Sequence, residues 1–160
     1  MAEITLDCIE AENLITLQSW RNSANVMPYC RQHRLLTMDD MEEWYEAGDR
    51  DNLFLIRKDN EPIGVGGIIR IDWRNRKGEI SFYVAEEKNK ECIEPALLQI
   101  LDYGSKTLGL HKMYFPCYQG NPYIPLYERC MTKEYVAKSE YYWEGKYLDR
   151  IILVKYNGNI

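Results

Sequence analysis

The chain has 160 residues, which fits one domain and is long enough to bury a single sizeable core. Its formal net charge of −5 argues against a nucleic-acid backbone as the main partner, because neutralising phosphates needs a net basic surface. No apolar run approaches the ~20 residues that cross a membrane, and the amino-terminal MAEITLDCIEAEN lacks the pattern of a secretory signal. We therefore expect a cytoplasmic protein without nucleic-acid or membrane partners, whose five cysteines are reduced thiols and not metal ligands.

The amino-terminal segment predicts a strand followed by a helix. Apolar residues recur over residues 4–9 and favour a short strand. Leu14, Leu17 and Trp20 then form a stripe at three-residue steps, which predicts a helix that ends near Arg21. We interpret Trp20 as a core anchor.

A basic loop and a second helix follow. Residues 29–34, with the sequence YCRQHR, form the one cationic cluster placed to meet an anionic substrate, although such a loop is usually solvated. Thr37 is followed three residues later by Asp40, a pair that predicts a helix start of the capping-box type.

The middle of the chain predicts a hairpin and then a βαβ unit. Strands are expected at residues 53–56 and 63–71, around a turn that contains Asp59 and Asn60. The apolar run ISFYV at residues 80–84 predicts a further strand.

An amphipathic helix from Pro95 and a strand at residues 113–118 complete the βαβ unit. Its two strands should be adjacent and parallel. Four antiparallel strands before it give an α/β fold of mixed type. We expect a central mixed sheet of six or seven strands with helices on both faces.

The order of several phrases resembles the GNAT N-acetyltransferases. GEISFYV is followed by ALLQILDYGSKTLGLHKMYF and NPYIPLYER, and SWRN, MEEWYE and EGKYLDRIILVK extend the resemblance over nearly the whole chain. The phrases are similar to the branch that acetylates ribosomal-protein amino termini and amino-sugar nucleotides. The resemblance implies one GNAT-like domain over residues 1–160 that uses acetyl-CoA, no metal, and a small-molecule or peptide amine as acceptor. It leaves a homodimer open as the assembly.

The resemblance also implies where acetyl-CoA binds. The pantetheine arm pairs with free backbone N–H groups of the splayed central strand, at Tyr83, Val84 and Ala85. The pyrophosphate lies on the following loop and helix amino terminus, where free N–H groups and the helix dipole favour anions.

In that loop, Lys88, Asn89 and Lys90 are the expected cofactor contacts. Glu91 and Ile93 stand where the family has glycine or alanine. The lysines compensate for this departure by charge, or the loop is simply a solvated turn.

Candidate catalytic residues also follow from the resemblance. Tyr127 matches the tyrosine that protonates the leaving thiolate, and Asn121 matches the cofactor-side asparagine at the start of the same short helix. Without the resemblance, Tyr127 reads as a core aromatic and Asn121 as an N-cap. For the base, Glu79 matches an acidic residue of the family and is preferred to Asp72 in the preceding turn.

The leading hypothesis is direct acetyl transfer to a primary amine, either of an amino-sugar nucleotide, slightly favoured, or of a protein amino terminus. One alternative is a GNAT-fold protein whose altered phosphate loop leaves it a non-catalytic binding or regulatory module. Another is a transferase that uses a different acyl donor.

Overall fold

The computed structural model describes residues 2–48 and 50–157. Within them the strands are β1 Ile4–Cys8, β2 Leu53–Lys58, β3 Glu61–Asp72, β4 Lys77–Val84, β5 Lys112–Tyr118, β6 Thr132–Trp143 and β7 Lys146–Tyr156. The α-helices there are α1 Leu14–Arg21, α2 Met38–Glu46, α3 Ile93–Asp102 and α4 Ile124–Tyr127. In this part of the chain no helix is long and apolar enough to cross a bilayer.

The seven strands of the described chain form one sheet in the order β1-β2-β3-β4-β5-β7-β6. The first four are antiparallel, β4 and β5 are parallel, and β7 inserts between β5 and β6 with antiparallel pairing to both. The predicted mixed sheet and the parallel βαβ unit are therefore confirmed.

Helices cover both faces of the sheet, as predicted. Leu55 and Ile56 are consecutive in β2 and fully buried, and they point to opposite faces because side chains alternate along a strand. Leu55 packs in one core cluster with Leu17 of α1 and Met41 of α2, whereas Ile56 packs in the other with Leu97 of α3.

Local signals in the sequence set two of the predicted boundaries. The hydroxyl of Thr37 accepts from the Asp40 N–H at 3.1 Å, and the Asp40 carboxylate accepts from the Thr37 N–H at 2.7 Å, which confirms the capping box at α2. Asp59 and Asn60 have φ of 48° and 72°, the left-handed values of a two-residue hairpin turn, and they join β2 to β3.

Asn22, just after α1, fixes the loop between α1 and α2. Its side-chain N–H donates to the Leu36 carbonyl at 2.9 Å. Its side-chain oxygen accepts from the Leu36 N–H at 2.8 Å and from the buried Gln32 amide at 3.0 Å. This pinned loop holds Arg31 at the sheet. Trp20 packs edge-on against Tyr83 at 6.4 Å between ring centroids, in agreement with a core role.

Two adjacent leucines of α3 test the orientation of that helix. Leu97 is fully buried, whereas Leu98 is 49% exposed. We expect Leu97→Ala to lower the free energy of unfolding by about 2–5 kcal/mol through the cavity it leaves. The matched change Leu98→Ala should stay within about 0.5 kcal/mol. Denaturant unfolding of both variants measures this, and equal losses would contradict the orientation of α3.

Candidate active site

β4 and β5 separate at Glu79. The register joins Lys77 to Lys112 and ends with the pair of Glu79 and Tyr114. Beyond this point β4 continues to pair with β3 as far as Val84, while no further β5 partner exists in the described residues. The strands therefore diverge around a gap, which confirms the predicted splay.

A cavity of about 420 Å³ adjoins the gap on the side of α1 and α2. Apolar side chains from the helices and the sheet form much of its wall, among them Leu17, Met41, Trp44, Val65 and Phe115. Its charged lining residues are Arg21, Arg31, Arg70 and Glu79. The volume and the mixed lining suit a small-molecule ligand.

The backbone donors that face the gap differ from those predicted. The Ala85 N–H donates to the Ile63 carbonyl at 2.8 Å, so it is already used by the sheet. In an antiparallel pair, N–H groups alternate between the two sides of a strand, and Tyr83 therefore also points toward β3. Val84, and Phe82 before it, direct their N–H groups toward the gap. The prediction of free donors at Tyr83 and Ala85 was wrong, and Val84 stays the candidate.

The predicted phosphate loop is a 3-10 turn, Glu87–Cys92, that leads directly into α3. Lys88 and Lys90 are exposed there, and their ammonium groups lie 3.5 Å and 3.8 Å from the carboxylates of Glu86 and Glu87. Asn89 between them is buried. Nearby acids thus offset part of the positive charge that was predicted to hold a pyrophosphate.

The two departures from the family pattern, Glu91 and Ile93, have different surroundings in the structure. Ile93 is fully buried and packs into the core with α3, so its side chain does not stand over the loop. The Glu91 carboxylate accepts from the Lys58 ammonium at 3.0 Å, an ion pair with β2. The Ile93 side chain is thus part of the core, and the Glu91 carboxylate is paired with a cation.

Tyr127 ends α4 and is 2% exposed. Its ring packs against Phe82 of β4 at 5.9 Å and Phe115 of β5 at 4.8 Å, so it bridges the two diverging strands. Burial raises the pKa of the Tyr127 phenol, and the neighbouring Asn121 side chain acts in the opposite direction. A phenol that keeps its proton has the form that a general acid needs.

Asn121 also acts as a cap. Its side-chain oxygen accepts from the Tyr123 N–H at 2.9 Å, and its backbone carbonyl accepts from the Ile124 N–H at 3.3 Å. Asn121 thus caps the turn that leads into α4, while Tyr123 occupies the N-cap position of the helix itself.

Glu79 lies at the point of divergence and lines the cavity. One carboxylate oxygen accepts from Arg31 at 3.0 Å and the other from Arg70 at 3.0 Å. Its side chain is only 9% exposed, whereas the two arginines are about half exposed. In these contacts Glu79 anchors two guanidinium groups at the cavity.

Asp72 lies outside the cavity lining. Hydrogen bonds from the backbone and then the side chain of Asn75, at 3.0 Å and 2.9 Å, lower the pKa of its carboxyl group and hold it in the turn between β3 and β4. Of the two candidate bases, only Glu79 reaches the cavity.

Sequence reasoning missed the arginines of the cavity as a group. The basic loop signalled Arg31, and Arg21 had been assigned to a helix end. Nothing in the sequence singled out Arg70, which has a positive φ of 49° where the register between β3 and β4 shifts.

Comparison with known proteins agrees with this geometry. Residues 3–124 match the family model described as Acetyltransferase (GNAT) domain. The chain belongs to the GNAT acetyltransferase family. It is accordingly an N-acetyltransferase with acetyl-CoA as co-substrate.

Similar proteins include polyamine enzymes. The spermidine N(1)-acetyltransferase of Vibrio cholerae serotype O1 is 28% identical over 155 residues, which are 92% of this chain and 90% of that protein. The crystal structure of spermidine N-acetyltransferase from Vibrio cholerae with CoA and spermine has a TM-score of 0.87 at 27% identity, covering 96% of this chain and 95% of that one. A dodecameric structure of the Vibrio cholerae enzyme, at 24% identity and TM-score 0.79, covers 96% of this chain and 93% of its own and shares the fold.

These similarities correct the prediction of the branch of the GNAT family to which the chain belongs. The similar proteins are spermidine N-acetyltransferases, and they do not support a place among the acetyltransferases of ribosomal-protein amino termini or amino-sugar nucleotides. The phrases that carried the resemblance therefore identified the family correctly but not the branch.

The exposed lysines of the loop give a test of the cofactor position. We expect Lys88→Ala combined with Lys90→Ala to weaken acetyl-CoA binding on the order of tenfold at low salt, and the loss should shrink as salt screens exposed charges. The double variant Lys133→Ala and Lys146→Ala removes the same charge from exposed positions of β6 and β7 and should bind normally. Titration calorimetry at two ionic strengths measures both, and unchanged affinity would remove the loop from the site.

Proposed function

We propose that this GNAT acetyltransferase transfers the acetyl group of acetyl-CoA to the primary amine of a small molecule held in the 420 Å³ cavity. The observation that supports the proposal most is the meeting of the gap and the cavity at Glu79. At this point a thioester lying along β4 reaches an amine that enters from the side of α1 and α2.

In the proposed arrangement, the cofactor follows β4 from its carboxyl end. The N–H groups of Phe82 and Val84 face the gap and are placed to pair with the amide groups of the pantetheine arm. Lys88, Asn89 and Lys90 are the proposed contacts of the pyrophosphate, at the turn that opens α3.

The chemistry needs two proton transfers besides the attack of nitrogen on the thioester carbon. As the C–N bond forms and the C–S bond breaks, the Tyr127 phenol gives its proton to the leaving sulfur and later regains one from solvent. The amine gives up a proton in the same sequence. Glu79 stays the predicted base. Its contacts with Arg31 and Arg70 give it a second role, which is to hold those side chains at the cavity.

Spermidine is the acceptor that the similar proteins support by their names. An amino-sugar nucleotide or a protein amino terminus remains a prediction from the sequence alone. Self-association is part of the proposal because one similar structure is dodecameric, while the homodimer and the cytoplasmic location stay predictions.

Titration of the protein with acetyl-CoA separates transfer from the alternative of a non-catalytic module. Ile93 is part of the core and the Glu91 carboxylate is paired with a cation, so we expect saturable binding with one site per chain. Absence of binding would contradict the proposed function. Tight binding of another acyl-CoA in preference to acetyl-CoA would favour the alternative donor.

Tyr127→Phe tests the proposed acid. The ring packing of Tyr127 is retained by Phe, whereas its proton is used chiefly as the thiolate leaves. We expect nearly unchanged acetyl-CoA affinity and a single-turnover acetylation rate lower by roughly 10²–10⁴-fold.

Tyr103→Phe is the control. Tyr103 follows α3, its phenol donates to the Asn52 side chain at 2.7 Å, and its ring packs edge-on against Phe54 of β2. This variant loses a partly buried hydroxyl but should acetylate at the wild-type rate. A Tyr127→Phe enzyme as fast as wild type would show that Tyr127 is only a core aromatic.

A further inference from the structure

The charged lining of the cavity is basic in a chain that is acidic overall. Three arginines, Arg21, Arg31 and Arg70, face one carboxylate, Glu79, whereas the whole chain carries a net charge of −5. This local excess of two positive charges lies where the acceptor amine is proposed to bind. A polycation such as spermidine would meet like charge there, in a cavity where water screens charges less than at the open surface.

Arg21 differs from the other two arginines of the cavity in having no carboxylate partner within the described residues. It is the last residue of α1, and its Nε is buried without a hydrogen-bond partner. Within the described residues, no carboxylate lies within 4 Å of its guanidinium group, in contrast to Arg31 and Arg70. Burial raises the pKa of the neighbouring Cys30 thiol, while Arg21 acts in the opposite direction.

A purely structural role explains only part of this arrangement. A cation in the last turn of a helix stabilises the helix dipole, and Arg21 meets that description. The dipole does not supply an acceptor for the buried Nε–H, and an unmade hydrogen bond of a buried charged group is costly. The Nε itself is closed to solvent, so an anion in the cavity would bind the other N–H groups of the Arg21 side chain that lines it, and a planar guanidinium group suits carboxylate and phosphate oxygens.

The other two arginines are held in place before any ligand arrives. Glu79 takes one guanidinium N–H from each, at 3.0 Å, and the remaining donors of both groups are left for other partners. Arg31 also lines a second cavity of about 230 Å³, which shares Cys30 and Tyr118 with the first. That second cavity is also lined by Arg150, which donates to Glu140 of the same lining at 3.2 Å and whose Nε is buried without a partner.

We infer that the acceptor is a primary amine that carries an anionic group, a carboxylate or a phosphate, and that Arg21 with Arg31 binds this group while the amine faces the gap at Glu79. The inference rests on the proposed function and narrows its acceptor. The same arginines select against polyamines through like-charge repulsion, so specificity comes from both attraction and rejection.

Anion binding tests the inference without knowledge of the natural acceptor. The protein is first saturated with coenzyme A, which occupies the cofactor's own phosphate site, and is then titrated with inorganic phosphate and, separately, with acetate. We expect at least one anion to bind, and Arg21→Gln to weaken that binding by at least about tenfold. Arg74→Gln removes the same charge from an exposed turn outside both cavities and should leave it unchanged.

Matched amines test the same point in turnover by the wild-type enzyme. Glucosamine, glucosamine 6-phosphate and muramic acid contain the same amino sugar. The first carries no anionic group, the second carries a phosphate and the third a carboxylate. We expect at least one anionic member to exceed glucosamine by about tenfold in kcat/KM, with spermidine poorer than that member. The two anionic members separate phosphate from carboxylate recognition.

The outcomes are distinct. Absence of anion binding, equal affinity in Arg21→Gln, or faster acetylation of spermidine than of the anionic amines would overturn the inference while leaving the proposed function intact. If Arg21→Gln does not fold, Arg21→Lys is used instead, because it keeps the positive charge but loses the paired N–H donors of the guanidinium group. Phosphate affinity equal to that of the wild type in this variant would contradict recognition by the guanidinium group. Failure to bind acetyl-CoA at all would instead contradict the proposed function. If none of the amines is acetylated, the anion titration decides.

Discussion

The parallel strands β4 and β5 stop pairing directly after Glu79. Backbone groups beyond that point, on the sides of the strands that face each other, have no partner in the other strand. The N–H groups of Phe82 and Val84 point into the space between the strands, and buried donors of this kind are costly when unmet. A linear ligand with amide groups of its own, such as a pantetheine arm, can accept hydrogen bonds from these two N–H groups. The end of β4 is braced from outside, since the Asn25 side chain donates to the Ala85 carbonyl at 2.7 Å.

The same point of divergence links the backbone of the sheet to the charge of the cavity. Because Glu79 is the last residue of β4 that pairs with β5, its side chain lies where the gap opens, and from there it holds Arg31 and Arg70. Arg31 reaches this position because Asn22 pins the loop after α1. The gap between the strands and the basic lining of the adjoining cavity thus both depend on one register. The similar enzymes share the fold that makes the gap, whereas the charge of the cavity belongs to side chains and can differ between relatives.

Local signals made much of the fold predictable from the sequence. The capping box at Thr37, the turn at Asp59 and Asn60, and the spacing of apolar residues in α3 each depend on neighbours within a few residues. The family, the splay and the acetyl-CoA requirement followed from the order of such elements. The free donors of β4 were not predictable in this way, because they depend on which side of the strand faces β3.

Long-range contacts account for what the sequence did not show in the site. Arg31 and Glu79 are 48 residues apart in the chain, and Arg70 meets Glu79 only because β3 shifts its register before the turn. The sequence phrases also did not show the charge of the cavity, whose arginines and glutamate come from α1, a loop and two strands.

Amide hydrogen exchange at single-residue resolution, with and without acetyl-CoA, tests the position of the cofactor most directly. Tyr83 and Ala85 donate toward β3 and should be protected in both states. Phe82 and Val84 should exchange faster in the free protein and become protected when acetyl-CoA is bound. Saturating acetyl-CoA that leaves the exchange of Phe82 and Val84 unchanged would contradict a cofactor site between β4 and β5.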